Sequence, residues 1–455
     1  MDLKSSLLKV LTANFISLLA GVINGFLVPK FLKIDQYAML QLYNLYSGYI
    51  GILHFGFADG VYLKYGGKEK AMLDQGELKY EHNFLLILQI IMSMPILLLA
   101  VLKRNFVIFA IALSVVPVNI QTYFSFLYQS LGDMGMFAKI KILSPLVVLI
   151  SNLALIFLIR INNYMPFVAT ILLSNYMVYF IFEMGYLRST KAVQSKRTNV
   201  NPLFQSGFLI MLGNLSSMFF YSIDRWFVKF LLPIENFSYY SFAVSMMNII
   251  LVLISSVAMT FYPYLSKGYG VEQIRKIKKY LIIIGAIASD AYFVLAMVVT
   301  NFLSKYRPSL EVIAILFAGF PAIAVINALY INLYKVNKQE RRYFYKVFTM
   351  LAVSFAFNVC AVLINLSNFS IAAATTIAFY FWFFTSSKDF DGVETNIKEI
   401  VFISLYVPLF IFSSHFLGYI SGFFVFTISI ILLTLCFYRD EFFELVSKIF
   451  RHESA

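Results

Sequence analysis

Apolar runs of about 20 residues recur from one end of this chain to the other, separated by short polar segments. A helix of roughly 20 residues crosses the hydrocarbon core of a bilayer, which is about 30 Å thick. The runs are too long for the strands of a membrane barrel, so we expect helices that satisfy their own backbone polar groups. The pattern predicts an all-α polytopic membrane protein with about 14 transmembrane helices. The predicted spans lie near residues 10–31, 43–63, 83–102, 105–128, 142–159, 164–187, 206–232, 237–262, 281–303, 312–334, 347–366, 369–386, 400–417 and 419–438.

The composition agrees with a membrane protein. Of the 455 residues, 60% are hydrophobic and 13% are charged, which is about half the charged share of a soluble domain. These values exclude an ordinary globular enzyme, a disordered chain and a disulfide scaffold. Cys360 and Cys436 both fall inside apolar runs, so we expect small packing residues and no disulfide between them.

The net charge of +13 carries information about membrane topology. With the N-terminus inside, 27 of the 36 Lys and Arg residues fall on the cytoplasmic side, 8 fall outside, and Arg225 lies within a span. The positive-inside rule then predicts that both termini are cytoplasmic and that the number of spans is even. Twelve and fourteen spans both satisfy this rule, and fourteen fits the loops better. The charge therefore predicts no nucleic-acid partner.

A polar stripe in the first predicted span recurs in the seventh, 200 residues later. Its members are 3, 4 and 3 residues apart, which places them on one helix face. The two stripes are Asn14, Ser17, Gly21 and Asn24, and Asn214, Ser217, Tyr221 and Asp224. At an offset of 206 residues, Pro117 and Leu127-Tyr128 of the fourth span match Pro321 and Leu333-Tyr334 of the tenth.

Six spans separate the members of each matched pair, so the two halves insert in the same direction. The repeat predicts two pseudo-symmetric six-helix lobes around a central cavity, as in two-lobed transporters. The predicted division is residues 1–195 for the first lobe, 196–386 for the second, and 387–455 for two appended spans and a cytoplasmic tail. A duplication kept for packing alone is the alternative.

Several short motifs resemble those of a transporter family. Ser222-Ile223-Asp224-Arg225-Trp226, followed by Tyr239-Tyr240 and Ala243, looks like the pattern that opens the second lobe of polysaccharide flippases. Gly56-Phe57-Ala58-Asp59-Gly60, Tyr128-Gln129-Ser130-Leu131-Gly132 and Asn14…Ser17…Gly21…Pro29 resemble three further motifs of that family. Over roughly residues 5–386 the chain therefore resembles the O-antigen/polysaccharide flippases of the multidrug/oligosaccharidyl-lipid/polysaccharide exporter superfamily.

The resemblance implies a substrate and a place. The substrate is an undecaprenyl-pyrophosphate-linked oligosaccharide, such as an O-antigen or capsule repeat unit, which moves from the inner to the outer leaflet of a bacterial inner membrane. Relatives carry arginine in the first helix, where this chain has Asn24-Gly25. In this chain the pyrophosphate must therefore be bound by one arginine alone or by one arginine together with lysines. The implied partners are this glycan, membrane lipids and a polysaccharide polymerase complex.

Charges inside the membrane are the best candidates for the site, because each costs several kcal/mol unless it faces water or a partner. Arg225 lies in the outer half of the seventh span, and the two-pronged donor of arginine matches phosphate oxygens. Lys229 follows one turn later. The alternatives are a structural ion pair of Arg225 with Asp224 or another helix, and a Lys229 that extends towards the interface.

Other candidates follow from position and chemistry. Asn24, Tyr221 and His54 are predicted to contact the substrate, since sugars stack on aromatic faces and their hydroxyls need polar partners. Asp290, Asp224 and Asp59 are candidates for ion coupling with H⁺ or Na⁺, or for gating. A buried, hydrogen-bonded structural role is the alternative for His54, Asp224 and Asp290.

The chain contains no phosphate-cradling glycine loop, metal-spaced His/Cys cluster or nucleophile motif. We therefore expect a transporter without a cofactor, driven by an ion gradient or the membrane potential, and no enzyme. Two alternatives remain open: a multidrug/cation antiporter of the same superfamily, and a membrane polysaccharide polymerase or ligase. An antiporter of cationic drugs would favour an acidic cavity. A polymerase or ligase would need a large outer loop that carries catalytic residues.

Overall fold

The structure is a computed structural model and describes residues 3–265, 268 and 270–444, with side chains left aside at 3–11, 71 and 255–264. Within this part of the chain the regular structure is helical, without strands. The helices of the first half are α1 (Leu3–Phe31), α2 (Ile34–Ser47), α3 (Phe57–Tyr65), α4 (Gln75–Lys103), α5 (Phe106–Ser130), α6 (Met134–Ala154), α7 (Tyr164–Ser189) and α8 (Asn201–Phe220). Those of the second half are α9 (Ile223–Leu231), α10 (Ile234–Leu265), α11 (Val271–Ala288), α12 (Ala291–Phe302), α13 (Ser309–Phe317), α14 (Phe320–Val325), α15 (Ile331–Val336), α16 (Glu340–Ile364), α17 (Asn368–Ser386), α18 (Ile397–Phe416) and α19 (Tyr419–Phe437).

The prediction of an all-α, multi-pass membrane protein is confirmed. Among the described residues, 12 helical segments are long and apolar enough to cross a membrane, or 13 if one bent pair counts as a single span. That pair is α13 and the segment from Phe320 to Val336, with a bend of 51°. Pro321 lies in the first turn of α14 and provides no backbone N–H, which explains a break at this point.

Two predicted spans are interrupted. The span near 43–63 consists of α2, a 3₁₀ turn at Ile50–His54 and α3. Phe55 and Gly56 adopt left-handed φ angles of 51° and 82° between the turn and α3, which ends one helix and lets the next start in a new direction. The span near 206–232 is divided into α8 and α9 between Phe220 and Ile223.

The chain divides into two compact units, residues 1–219 and 220–455. In the first unit, α1 packs along α6, and α5 contacts α2, α3, α4, α6 and α7. The core around α5 is aromatic, with Phe57, Tyr123, Phe124 and Phe182 all buried. This unit therefore forms around one central helix.

The segment at residues 188–202, which contains the predicted boundary between the two lobes, is attached to the start of α4. Lys79 Nζ donates to the carbonyl oxygens of Thr190 and Val193, at 3.0 and 2.9 Å. Lys196 Nζ lies 2.8 Å from Asp74 Oδ2, and its hydrogen bond lowers the pKa of the Asp74 carboxyl. Polar side chains on α4 thus hold this link against the first unit.

In the second unit, the last two helices pack on the rest of the unit. Helix α19 contacts α11 and α12, and α18 contacts α13. A buried ion pair joins Lys278 Nζ of α11 to Glu399 Oε2 of α18 at 2.6 Å, with both side chains 1% exposed. The two predicted appended spans are therefore anchored to their unit by a charged contact.

The sequence repeat is also present in the backbone. Helix α1 ends at Phe31 as α9 ends at Leu231, and the next helices begin at Ile34 and Ile234. The N–H of Leu32 donates to Val28 O at 3.0 Å, and the N–H of Leu232 donates to Val228 O at 3.1 Å. At an offset of 206 residues, left-handed Gly132 and Lys338 follow α5 and α15. These shared helix ends support the predicted pseudo-symmetry of the two halves.

Candidate functional site

The first candidate region lies in the second unit, where α9 starts. Asp224 is buried, with an exposed fraction of 2%. Its Oδ1 accepts a hydrogen bond from the backbone N–H of Arg225 at 2.7 Å. Its Oδ2 accepts one from the hydroxyl of Tyr240 in α10 at 2.8 Å, and Thr375 Oγ1 of α17 lies 3.5 Å away. The carboxylate of Asp224 thus joins three helices through neutral donors.

These contacts explain why the motif residues occur together. Tyr240 and Ala243, which belong to the flippase-like pattern, are both buried. Tyr240 reaches Asp224 through its hydroxyl, and Asp224 fixes the first turn of α9, which carries Arg225. The pattern therefore holds α9 in place, and Asp224 positions the residue that follows it.

Arg225 is half-buried and makes no ion pair within the described residues. Its Nε is buried and has no hydrogen-bond acceptor in that part of the chain. A buried donor without a partner costs about 1–3 kcal/mol, so an acceptor that reached this nitrogen would relieve that cost. The alternative of a structural ion pair between the Arg225 and Asp224 side chains is not formed in this structure.

Lys229 and Tyr221 flank this arginine along the chain. Lys229 is half-buried, and its Nζ lies 6.0 Å from the centre of the Phe230 ring. The hydroxyl of Tyr221 donates to Asn327 Oδ1 at 3.1 Å, and Asn327 belongs to a π-helical turn at Ile326–Tyr330. Such turns occur often at functional sites. Four of the predicted site residues thus lie within nine positions of one another, on and just before α9.

The second candidate region is a cavity of about 130 Å³ within the first unit. His54 and Asp59, each 4% exposed, are part of its lining. His54 Nε2 lies 3.9 Å from Asp59 Oδ2. Asn214 Nδ2 of α8 lies 3.4 Å from Asp59 Oδ1. A space of this size accommodates a few waters or a small ion.

Asn24 and Asp290 lie in other surroundings. Asn24 Oδ1 accepts from Asn152 Nδ2 at 3.0 Å, and Asn152 Oδ1 accepts from Thr170 Oγ1 at 2.8 Å. This polar chain joins α1, α6 and α7. Asp290, between α11 and α12, accepts a hydrogen bond from Thr427 Oγ1 of α19 at 3.0 Å. Neither residue is joined by these bonds to the other predicted site residues.

Sequence reasoning missed two groups of buried charges. Lys278 falls between the predicted spans 237–262 and 281–303 and is thus one of the 27 predicted cytoplasmic charges, yet it is buried with Glu399. In the first unit, Lys64 Nζ lies 2.5 Å from Glu81 Oε1, and His82 Nε2 lies 2.9 Å from Glu183 Oε2. A signal for Lys278 exists, because it shares a helical face with Ile274, Ile277 and Leu281, all buried.

The helices define a class first: an all-helical, multi-pass membrane protein built of two compact units. The chain is similar over 94% of its length to the lipid II flippase MurJ in an inward closed conformation, with a TM-score of 0.67, 13% identity and 98% of that chain covered. It is also similar to a multidrug resistance MATE family transporter of the MOP superfamily in an inward-facing conformation, with a TM-score of 0.55 and 13% identity, over 84% of this chain and 95% of that one. At these identities the likeness shows a shared fold. No family model and no curated protein sequence matches the chain.

Proposed function

We propose that this protein is a flippase that moves an undecaprenyl-pyrophosphate-linked oligosaccharide across a bacterial inner membrane by alternating access. The oligosaccharide is an O-antigen or capsule-type repeat unit. The fold shared with a lipid II flippase supports this proposal, because that flippase moves a lipid-linked substrate. The flippase-like motifs of the sequence point the same way.

The observation that carries the proposal is the free donor of Arg225. A pyrophosphate is a compact anion with several acceptor oxygens, and a guanidinium offers two parallel donors to it. The Asp224 carboxylate accepts hydrogen bonds from the backbone N–H of Arg225 and the Tyr240 hydroxyl, and it forms no ion pair with the Arg225 side chain. Lys229, one turn later, adds a second positive charge. Tyr221, His54 and Asn24 complete the proposed set of substrate contacts.

The remaining parts of the proposal concern energy, orientation and partners. Asp59, Asp224 and Asp290 are proposed for ion coupling or gating, with an H⁺ or Na⁺ gradient or the membrane potential as the energy source. The lobes are proposed as residues 1–195 and 196–386, with 387–455 appended. Both termini are proposed to be cytoplasmic; residues 445–455 lie outside the described part of the chain. A polysaccharide polymerase is the proposed protein partner.

A multidrug/cation antiporter is the second candidate, because the chain also shares its fold with a multidrug resistance transporter. Such a protein needs carboxylates facing a cationic drug. Two of the buried carboxylates, Asp59 and Asp224, already have neighbouring donors, at Asn214 and Tyr240. The unpartnered donor of Arg225 favours an anionic substrate over a cationic one.

The experiment replaces Arg225 and measures surface polysaccharide in a strain that depends on this protein. Arg225→Ala should abolish export, since one charged hydrogen bond contributes about 1.5–3 kcal/mol, or roughly 10- to 150-fold in affinity. Arg225→Lys should retain partial export, because it keeps the charge and loses the fork. Arg307→Ala, at an exposed arginine, is the matched control and should export normally.

All variants must be present in the membrane at the wild-type level. Wild-type export by Arg225→Ala would remove this residue from the substrate site. Drug efflux that depends on the protein, with unaffected surface polysaccharide in its absence, would favour the antiporter.

A further inference from the structure

The His54–Asp59 cavity in the first unit has a defined hydrogen-bond geometry. The backbone N–H of Gly56 donates to His54 Nδ1 at 3.1 Å. A neutral imidazole carries its proton on one nitrogen, so this bond assigns the proton to Nε2. Nε2 lies 3.9 Å from Asp59 Oδ2, so its N–H lies beside the carboxylate without a direct hydrogen bond.

We propose that this cavity binds one proton, with the Asp59 carboxylate as acceptor and His54 as the group that orients it. The proton comes from the bulk solvent as hydronium, which is left as neutral water, and it converts the carboxylate to a neutral carboxylic acid. His54 does not take the proton itself, because an imidazolium donates from both nitrogens and would lose the Gly56 hydrogen bond. The inference rests on the proposed transport function, in which proton entry supplies the energy.

The other side chains around the cavity are uncharged. Among the lining residues that the structure describes, His54 and Asp59 are the ionisable ones, and α8 contributes Asn214 and three apolar side chains. From α4, Gln89 Nε2 donates to Leu53 O at 3.1 Å, and α5 contributes Phe126. The nearest lysine along α3, Lys64, is bound to Glu77 and Glu81 at 2.6 and 2.5 Å. A proton in the cavity therefore changes the local charge from −1 to zero with no compensating ion.

The cavity is connected to a tight contact between α3 and α8. A Cβ atom added at Gly207 of α8 would lie 1.9 Å from Gly56 O and 2.4 Å from Gly60 N. Asp59 lies between Gly56, which precedes α3, and Gly60 in α3, and its carboxylate faces Asn214 of α8 at 3.4 Å. A neutral Asp59 attracts the Asn214 amide less than an ionised one. Proton binding thus weakens a polar contact beside the closest approach of the two helices, which links the cavity to the docking of α8.

The test uses substrate-free protein in liposomes and infrared difference spectra between pH 8 and pH 5.5. A carboxylate that gains a proton produces the C=O stretching band of a carboxylic acid. We expect Asp59→Asn to lose the amplitude of one carboxyl per molecule, and Asp59→Glu to restore it. His54→Gln should shift the frequency of the band, whereas His415→Gln, near the end of α18, should leave the spectrum unchanged.

An unchanged carboxyl band in Asp59→Asn would overturn the proposal. Since no lipid-linked glycan is present, failure here leaves the flippase proposal standing, and failure of the Arg225 experiment leaves this one standing.

Discussion

The buried ion pair between Lys278 and Glu399 allows a quantitative prediction about how the last two helices are held. Lys278 Nζ lies 2.6 Å from Glu399 Oε2 and donates to the carbonyl oxygens of Val393 and Glu394 at 2.8 and 3.4 Å. It also lies 5.0 Å from the centre of the Phe383 ring. One ammonium group therefore joins α11, α17 and the start of α18.

Removing one partner of a buried pair costs about 3–5 kcal/mol, because the other charge stays buried without compensation. Lys278→Met leaves a carboxylate that has lost its ammonium, and we expect a loss in this range. Glu399→Leu leaves an ammonium that still has two carbonyl partners, so its loss should lie at the lower end. The double variant buries no unpaired charge, so its free energy of unfolding should lie within about 1–2 kcal/mol of the wild-type value.

The assay is unfolding in mixed micelles with increasing SDS, followed by tryptophan fluorescence. The chain has two tryptophans, and Trp382 is fully buried in the second unit, so the signal reports this unit. Lys276→Met, which removes the more exposed pair with Glu444 in the same unit, is the control and should change stability little. Single variants as stable as the wild type, or a double variant that loses the sum of both, would refute the reasoning.

Two further predictions concern packing and coupling. Gly207→Ala should destabilise the first unit by about 1–3 kcal/mol, because its Cβ would lie 1.9 Å from Gly56 O. The control Gly185→Ala, whose Cβ would have nothing within 4 Å, should be neutral or slightly stabilising. Equal thermal stability of the two variants would contradict the tight α3–α8 contact. Asp290→Asn keeps an acceptor for Thr427, so the fold should persist, and we expect an altered pH or sodium dependence of transport; an unaltered dependence would exclude Asp290 as an ion carrier.

The fold was predictable because membrane spans follow from hydrophobicity, and the repeat follows from spacing. The matched helix ends at Phe31 and Leu231 lie 200 residues apart, as the polar stripes do. The break before α3 was not predicted, since left-handed Phe55 belongs to a residue type without a special preference for that conformation. Gly56, the next residue, was the available signal of a helix break, because glycine readily adopts positive φ angles.

The candidate site was predictable in part. The sequence identified Arg225 as the charge within a span, and the structure adds that its Nε lacks an acceptor within the described residues. The sequence did not reveal that Asp224 binds Tyr240, 16 positions later, because pairing between helices depends on packing. Nor did it reveal that His54 and Asp59 share a cavity with Asn214 of α8, although Asn214 was part of the repeated stripe.

The central claim is that this protein carries a lipid-linked oligosaccharide from one leaflet to the other, and the leaflet position of that lipid tests it most directly. In a strain that lacks the protein, the account predicts undecaprenyl-pyrophosphate-linked oligosaccharide accumulating in the cytoplasmic leaflet, cleared by the wild-type chain and left in place by Arg225→Ala. Normal transfer to the outer leaflet in its absence, in a strain without a second flippase of this kind, would contradict the account.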